Sequence, residues 1–343
     1  MLISKKSKIF IAGHNGMVGS AIHRSLQQKG YQNILCTPRN DLNLLNFEEV
    51  NNWFNKNRPE VVILAAAKVG GIYANSNYSF DFILENLKIQ NNVIENAWKY
   101  KVKKFLFFGS SCIYPKFVKQ PIKEEYLLTG ELEKTNDSYA LAKIAGIKLC
   151  TALKKQYGFD VICLMPTNLY GPGDNYHPQN SHVLPAMLKR FYDAKTRGID
   201  EINCWGSGSP LREFLHVDDL ADATIFILEN ISSENKIFYD KKDNFNGILN
   251  VGFGLDISIK ELANLISSVV GYKGKITWDL SKPDGTPRKL LDISKLNSLG
   301  WSPKTNLEEL ISEMLKSDLE EAKKEAYLKK KGFKVTESIE SQN

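Results

Sequence analysis

The feature that most restricts this chain is a short apolar run that ends in three spaced glycines. Lys8-Ile9-Phe10-Ile11-Ala12 leads into Gly13-His14-Asn15-Gly16-Met17-Val18-Gly19, and a helical segment follows from Ser20 to Gln28, stopped by Gly30. A buried strand that turns on glycine and opens a helix makes a phosphate cradle. The first glycine allows the turn, the second lets backbone approach a pyrophosphate, and the third permits close helix packing. The helix start adds unpaired N–H groups and the positive end of its dipole. The loop residues Gly13, Asn15, Gly16, Met17, Val18 and Gly19 are therefore read as a dinucleotide site.

The pattern downstream fits that opening. Strands are expected near Asn33 to Thr37, at Val61 to Ala65, at Lys104 to Gly109 and at Asp160 to Met165, with helices near Asn46 to Asn55, Phe80 to Tyr100 and Asp137 to Gln156. Phe80 to Tyr100 carries apolar residues at 82, 83, 87, 89, 93, 94, 97 and 98, a helical rhythm, whereas Lys104 to Gly109 is almost wholly apolar, as a parallel strand covered on both faces must be. Alternating strands and helices predict an α/β fold, a Rossmann-type doubly wound parallel sheet. After Pro166 the rhythm loosens; Leu215 to Glu229 reads as strand end, turn and helix, Leu249 to Val251 as strand and Ile259 to Val270 as helix. The expected organisation is a Rossmann domain over 8–170 that also receives elements near 214–255, a smaller interleaved α/β substrate-binding lobe over 171–318, and a charged tail over 319–343.

Composition narrows the class. Lys and Arg exceed Asp and Glu by 45 to 39, a spread excess that lacks the one-sided concentration of a nucleic-acid footprint. No apolar run reaches the roughly 18–20 residues of a membrane helix, and the first residues do not resemble a signal peptide. The five cysteines, Cys36, Cys112, Cys150, Cys163 and Cys204, have no close pair and no metal-ligand spacing, which suits a reducing cytoplasm and predicts no metal.

The chemistry is expected where the strands end. The second strand runs out at Thr37-Pro38-Arg39-Asn40, and Arg39 suits a 2′-phosphate, which favours NADP(H) over NAD. Tyr139 and Lys143 are one helical turn apart, so the ammonium is expected to lower the phenol's pKa and make it an acid-base group. Ser110, 29 residues earlier at the end of the fourth strand, can hydrogen-bond the same substrate oxygen. Together these groups suit hydride transfer at a carbon bearing oxygen. Cys112 faces the same way as Ser110 if strand geometry continues that far, and His182 lies in a later loop; both side chains can pass protons near pH 7. Read from the residues alone, a structural role is the stronger reading for each, Cys112 as a buried filler and His182 as a helix cap.

Several runs together carry a resemblance. They are Ala65-Ala66-Ala67-Lys68-Val69-Gly70-Gly71, Gly109-Ser110-Ser111-Cys112-Ile113-Tyr114-Pro115, Tyr139-Ala140-Leu141-Ala142-Lys143, Pro166-Thr167-Asn168-Leu169-Tyr170-Gly171-Pro172, Asn180-Ser181-His182-Val183, Trp205-Gly206-Ser207-Gly208, Arg212-Glu213-Phe214-Leu215-His216-Val217-Asp218-Asp219 and Lys282-Pro283-Asp284-Gly285-Thr286-Pro287-Arg288-Lys289. With the glycine loop, they make residues 8–315 resemble the GDP-L-fucose synthase family of extended short-chain dehydrogenases/reductases.

The resemblance implies NADPH-dependent conversion of GDP-4-keto-6-deoxy-D-mannose to GDP-L-fucose. By similarity, Cys112 is base and His182 acid in epimerisation at C3 and C5, while Tyr139, Lys143 and Ser110 serve reduction at C4. It adds Ala66, Gly109, Pro166, Asn168, Leu169 and His182 to the cofactor site, and places Arg190, Trp205, Arg212, Asp284 and Lys289 on the nucleotide-sugar side. It further implies a homodimer joined through helices near 81–100 and 137–156. Asn15 stands where bacterial relatives often carry arginine, so Arg39 bears more of the phosphate recognition. The rival readings are a C4 epimerase or 4-reductase of the same group, or a non-catalytic dinucleotide sensor. A 4,6-dehydratase is disfavoured because Cys112-Ile113 occupies the place of its Asp-Glu pair.

Overall fold

The computed structural model describes residues 2–174, 183–282, 284–309, 311–316, 327 and 331 of the 343. In the first half, β1 (Ile9–Ala12), α1 (Met17–Gln28), β2 (Ile34–Leu35), α2 (Phe47–Asn57), β3 (Val61–Leu64), α3 (Ile72–Asn77), α4 (Ser79–Lys99), β4 (Lys104–Phe108), α5 (Asp137–Tyr157) and β5 (Val161–Pro166) follow one another. The second half contributes β6 (Asn168–Tyr170), α6 (Val183–Arg197), β7 (Glu201–Trp205), β8 (Leu211–His216), α7 (Val217–Asn230), β9 (Ile248–Val251), β10 (Asp256–Ser258), α8 (Ile259–Val270), β11 (Lys275–Asp279) and β12 (Arg288–Lys289).

Six strands pair in parallel in the order β2-β1-β3-β4-β5-β9. Strands β1, β3, β4, β5 and β9 are buried along their whole length, which accounts for their largely apolar sequences, with Lys104 in β4 and Asn250 in β9 as buried exceptions. One face packs on α1 and α7 through Ile22, Leu26, Leu220 and Ile227, and the other on α2, α4 and α5 through Phe54, Val93, Ile94 and Ile147. Helices on both faces make the sheet doubly wound. The edge strand β2 is shorter than the expected Asn33 to Thr37, pairing with β1 at Ile34 and Leu35. The first helix starts at Met17 rather than Ser20, with Gly16 as its N-cap.

The remaining strands build a smaller layer. Strand β8 pairs with β6, β10 and β12, and β7 pairs with β11. Beneath them α6 and α8 close a separate core of Leu188, Phe191, Ile202, Leu262 and Ile266. Two segments return from this half to the large sheet: β9 becomes its sixth strand and α7 covers it. Among the described residues no helix is long and apolar enough to cross a membrane.

Chain order reverses between β1 and β3, since the chain leaves β1 for the edge and crosses back. Ligands of open α/β sheets bind beyond the carboxyl ends of strands at such a point. Here those ends touch. Gly13 has φ +91° and lies so close to β3 that an added Cβ would stand 2.6 Å from the Ala66 nitrogen. A Cβ on Gly19 would run into the Gly13 carbonyl. Gly19→Ala is therefore expected to push α1 off β1 at about 1–3 kcal/mol, the usual range for overpacking. Urea unfolding checks this; an unchanged midpoint contradicts it.

Candidate active site

The glycine cradle has the form a dinucleotide needs. No side chain caps α1: Gly16 has none, and no acidic residue stands in the first turn to compete with an incoming phosphate. Asn15 and Gly16 are exposed at the mouth, and Ala66 lines it from the end of β3. Arg39 follows β2 with its side chain exposed. Gly109 is buried against Met165, which an added Cβ would strike, so β4 and β5 also approach closely below the cleft. Pro166 ends β5 in register with Val251, Leu169 packs on the sheet core, and the Asn168 amide donates to the Glu213 carbonyl at 2.8 Å.

A second constellation forms where β4 stops. The expected continuation of strand geometry to Cys112 does not occur, because Ser111–Ile113 is a 3₁₀ turn capped by Ser110. The Ser110 Oγ accepts the Cys112 backbone N–H at 3.2 Å. The turn still brings thiol and hydroxyl together, by folding back rather than by alternation. Tyr139, at the start of α5, faces both, with the Phe82 ring of α4 set edge-on at 6.4 Å between centroids. Lys143, one turn further, is buried and donates to the Phe108 carbonyl at 2.8 Å.

These environments push the groups apart. Burial raises the Tyr139 phenol well above its ordinary pKa, and the nearby Cys112 charge raises it further against an opposing hydrogen bond from Ser110. Burial also opposes ionisation of Cys112, but Lys289, Ser110 and Arg212 outweigh it and hold the thiol below its ordinary value. The expected acidification of Tyr139 by Lys143 is not what this geometry gives. The ammonium lies 5.8 Å from the phenol ring centroid, is committed to Phe108, and is itself pushed down to about 7 by burial.

The remaining expected residues are spread over the second lobe. Arg190 on α6 is exposed and donates to the Asn203 carbonyl at 2.8 Å. Trp205 ends β7 and is 72% exposed, so it is no core residue of that lobe; the Lys282 ammonium stands 5.7 Å from its ring centroid. Asp284 accepts both the backbone N–H and the hydroxyl of Ser207, at 2.7 and 2.8 Å, and so shapes the Gly206–Gly208 loop. Arg212 is half-buried on β8, and Lys289 on β12 reaches the Cys112 sulfur at 3.2 Å. His182 lies outside the described residues.

Three supporting residues were not singled out from the sequence. Glu213, fully buried, accepts the N–H groups of Gly254 and Leu291 at 2.7 and 3.0 Å and ties β8 to the chain beyond β9 and β12. The Tyr114 hydroxyl donates to Asn250 at 2.6 Å, and the Asn250 amide donates to the Ile122 and Asp292 carbonyls at 2.9 and 3.2 Å. This network fixes the loop after Cys112 to the large sheet. The one polar residue within the apolar strand Ile248–Val251 was its signal. Asp218 and Asp219 do not cap α7, since His216 Nδ1 accepts the Asp218 N–H; Asp219 instead accepts the backbone N–H groups of Lys304 and Thr305.

A glycine cradle at a sheet switch point, followed by a Ser-Tyr-Lys set at the end of the fourth strand, defines the short-chain dehydrogenase/reductase class of α/β protein. Residues 9–252 match the NAD dependent epimerase/dehydratase family model. The chain is 55% identical to GDP-L-fucose synthase 1 of Arabidopsis thaliana over 90% of its own length and 92% of that protein's. Among solved structures, a GDP-6-OMe-4-keto-L-xylo-heptose reductase from C. jejuni aligns with TM-score 0.88 and 38% identity, covering 95% of this chain and 100% of that one. A GDP-mannoheptose C4 reductase from Campylobacter jejuni with NADP bound aligns with TM-score 0.83 and 38% identity, covering 91% and 98%. The chain belongs to the NAD dependent epimerase/dehydratase family, within its GDP-L-fucose synthase group.

The buried Lys143 gives a test of the site's electrostatics in the protein itself. Between about 7 in the folded chain and the ordinary 10.5, the unfolded chain binds a proton that the folded chain does not. Stability attributable to this residue must then rise with pH. Wild type is expected to gain on Lys143→Met by up to about 1.4 kcal/mol of unfolding free energy per pH unit across that window. Parallel stability curves from urea unfolding contradict it.

Proposed function

We propose that this protein converts GDP-4-keto-6-deoxy-D-mannose to GDP-L-fucose, inverting C3 and C5 and reducing the C4 ketone. What carries this reading is that Cys112 and Tyr139 meet around one serine hydroxyl with proton affinities shifted apart: Lys289 and Arg212 hold the thiol below its ordinary value, and burial holds the phenol above its own. Two groups with separated proton affinities are what a paired base and acid require. Similarity to GDP-L-fucose synthases along nine-tenths of the chain supports the substrate assignment.

The keto group acidifies the hydrogens on both neighbouring carbons. The Cys112 thiolate takes a proton from C3 and His182 returns one from the opposite face; the thiol then loses its proton to solvent and His182 regains one, and the pair repeats the exchange at C5. Enolate charge collects on the C4 oxygen, where the hydroxyls of Tyr139 and Ser110 donate. The glycine cradle would hold the pyrophosphate of NADPH and Arg39 its 2′-phosphate; bound there, the cofactor would supply the hydride for C4. Tyr139 gives its proton to the same oxygen, and Lys143, held on the Phe108 carbonyl, keeps the helix turn carrying the phenol in place. Ala66, Gly109, Pro166, Asn168 and Leu169 would line the cofactor site along β3, β4, β5 and β6.

The elements over 171–318 hold the nucleotide end of the substrate. Arg190 and Arg212 take the diphosphate, and the exposed Trp205 offers its ring to the guanine or sugar. The protein works as a homodimer joined across α4 and α5, where the large apolar side chains of Phe80, Trp98, Leu141 and Tyr157 are exposed.

Substitution separates the two chemistries. Tyr139→Phe is expected to lose NADPH oxidation about 10²–10⁴-fold and to lose less of the exchange of the C3 and C5 hydrogens with deuterated solvent, because Ser110 still donates to the enolate oxygen. Cys112→Ser is expected to lose that exchange by a similar factor. Equal loss of both activities in folded Tyr139→Phe contradicts the division of roles.

A further inference from the structure

The charged groups around the Cys112 thiol are paired in a way that singles one out. Lys116, on the loop after the thiol, gives its ammonium to Glu133 at 2.8 Å. Arg288 is clamped by Asp256 through Nε and Nη2 at 2.6 and 3.2 Å. Arg212 shares its charge between Cys112 and Asp284, and Tyr139 faces the sulfur as a protonated phenol. Among the described residues no carboxylate pairs with Lys289. Among the described residues the one hydrogen-bond acceptor of its ammonium is Cys112 Sγ, at 3.2 Å.

The backbone aims this side chain. Lys289 pairs with Arg212 in the β12–β8 ladder. The next two N–H groups, of Leu290 and Leu291, are taken by Gln120 Oε1 at 2.9 Å and Glu213 Oε2 at 3.0 Å, while the Arg288 clamp holds the other side. The chemistry of the contact is one-sided as well. An ammonium carries donors only, so it is matched by a thiolate and poorly matched by a thiol, which is a weak acceptor. Ser110 Oγ already accepts the Cys112 N–H, which leaves its own proton free to point at the sulfur or the phenol.

We propose that Lys289 is a positioning residue for Cys112, holding the sulfur as a thiolate in the cleft so that the base for C3 and C5 is ready at neutral pH. This rests on Cys112 being that base. Lys289 thereby acts through the thiol, beyond the place on the nucleotide-sugar side that its sequence run implies.

The test is the pH dependence of iodoacetamide labelling at Cys112, followed by mass spectrometry of its peptide in the full-length protein. Wild type, Lys289→Met, Lys289→Gln and Lys289→Arg are compared. Wild type is expected to label with a midpoint below the ordinary thiol value of about 8.5. The Met and Gln variants should label at least about tenfold more slowly near pH 6.5, equivalent to one pK unit, and converge with wild type at high pH. Arginine should restore the wild-type profile, and exchange at C3 and C5 in the neutral variants should recover as pH is raised. Unchanged midpoints in either neutral variant overturn the proposal. If neither folds, wild type decides alone, because an ordinary midpoint there overturns it too. Retained exchange in Cys112→Ser would remove the base assignment while leaving a labelling shift intact, so the two failures are distinguishable.

Discussion

The site depends on how β4 is made to stop. At Phe108 the buried Lys143 ammonium takes the strand's carbonyl from the opposite helix, and the chain leaves the sheet through a close-packed glycine. Ser110 then caps a single 3₁₀ turn instead of extending the strand. One hydrogen bond thus joins the helix carrying the phenol to the strand end carrying the hydroxyl and thiol. Parallel strands buried on both faces leave no freedom for that end to drift, and the Tyr114–Asn250 contact fastens the following loop to the sheet's last strand.

Placing a phenol and a thiol in one partly dry cleft would ordinarily raise both pKa values, because burial disfavours either anion. The second lobe breaks that symmetry. Strands β8 and β12 bring Arg212 and Lys289 to the sulfur, while Lys143, 5.8 Å from the phenol ring centroid, is committed to the Phe108 carbonyl. A thiolate in turn strengthens the phenol's hold on its proton. Each group's environment is partly the other, which lets one pocket keep a base and an acid side by side. The lysine on α5, buried and bound to backbone, contributes placement in the protein's own electrostatics rather than acidification of its neighbour.

Much of the large sheet was legible in the sequence, because its strands are mostly apolar runs and its helices carry apolar residues at helical spacing. The glycine cradle, Ser110, Tyr139 and Lys143 were legible because each is tied to a sheet end or to helical spacing. The second lobe was harder to read. Helix α6 begins beside Pro185 after a Gly- and Asn-rich stretch, yet proline is tolerated in a first turn and Leu184, Leu188 and Phe191 do recur on one face. Strand β12 is Arg288-Lys289, two charged residues with no pattern to betray pairing. The Lys289–Cys112 contact joins positions 177 residues apart, and only the folded ladder brings them together.

In this mechanism one cleft both inverts carbon centres and reduces a ketone. The most direct measurement is incubation of the wild-type protein with GDP-4-keto-6-deoxy-D-mannose and NADPH in D₂O, with the product resolved by NMR. The expected product is GDP-L-fucose carrying deuterium at C3 and C5 and protium at C4. A C4-reduced sugar that keeps protium and its original configuration at C3 and C5 would contradict the account and leave a simple reductase.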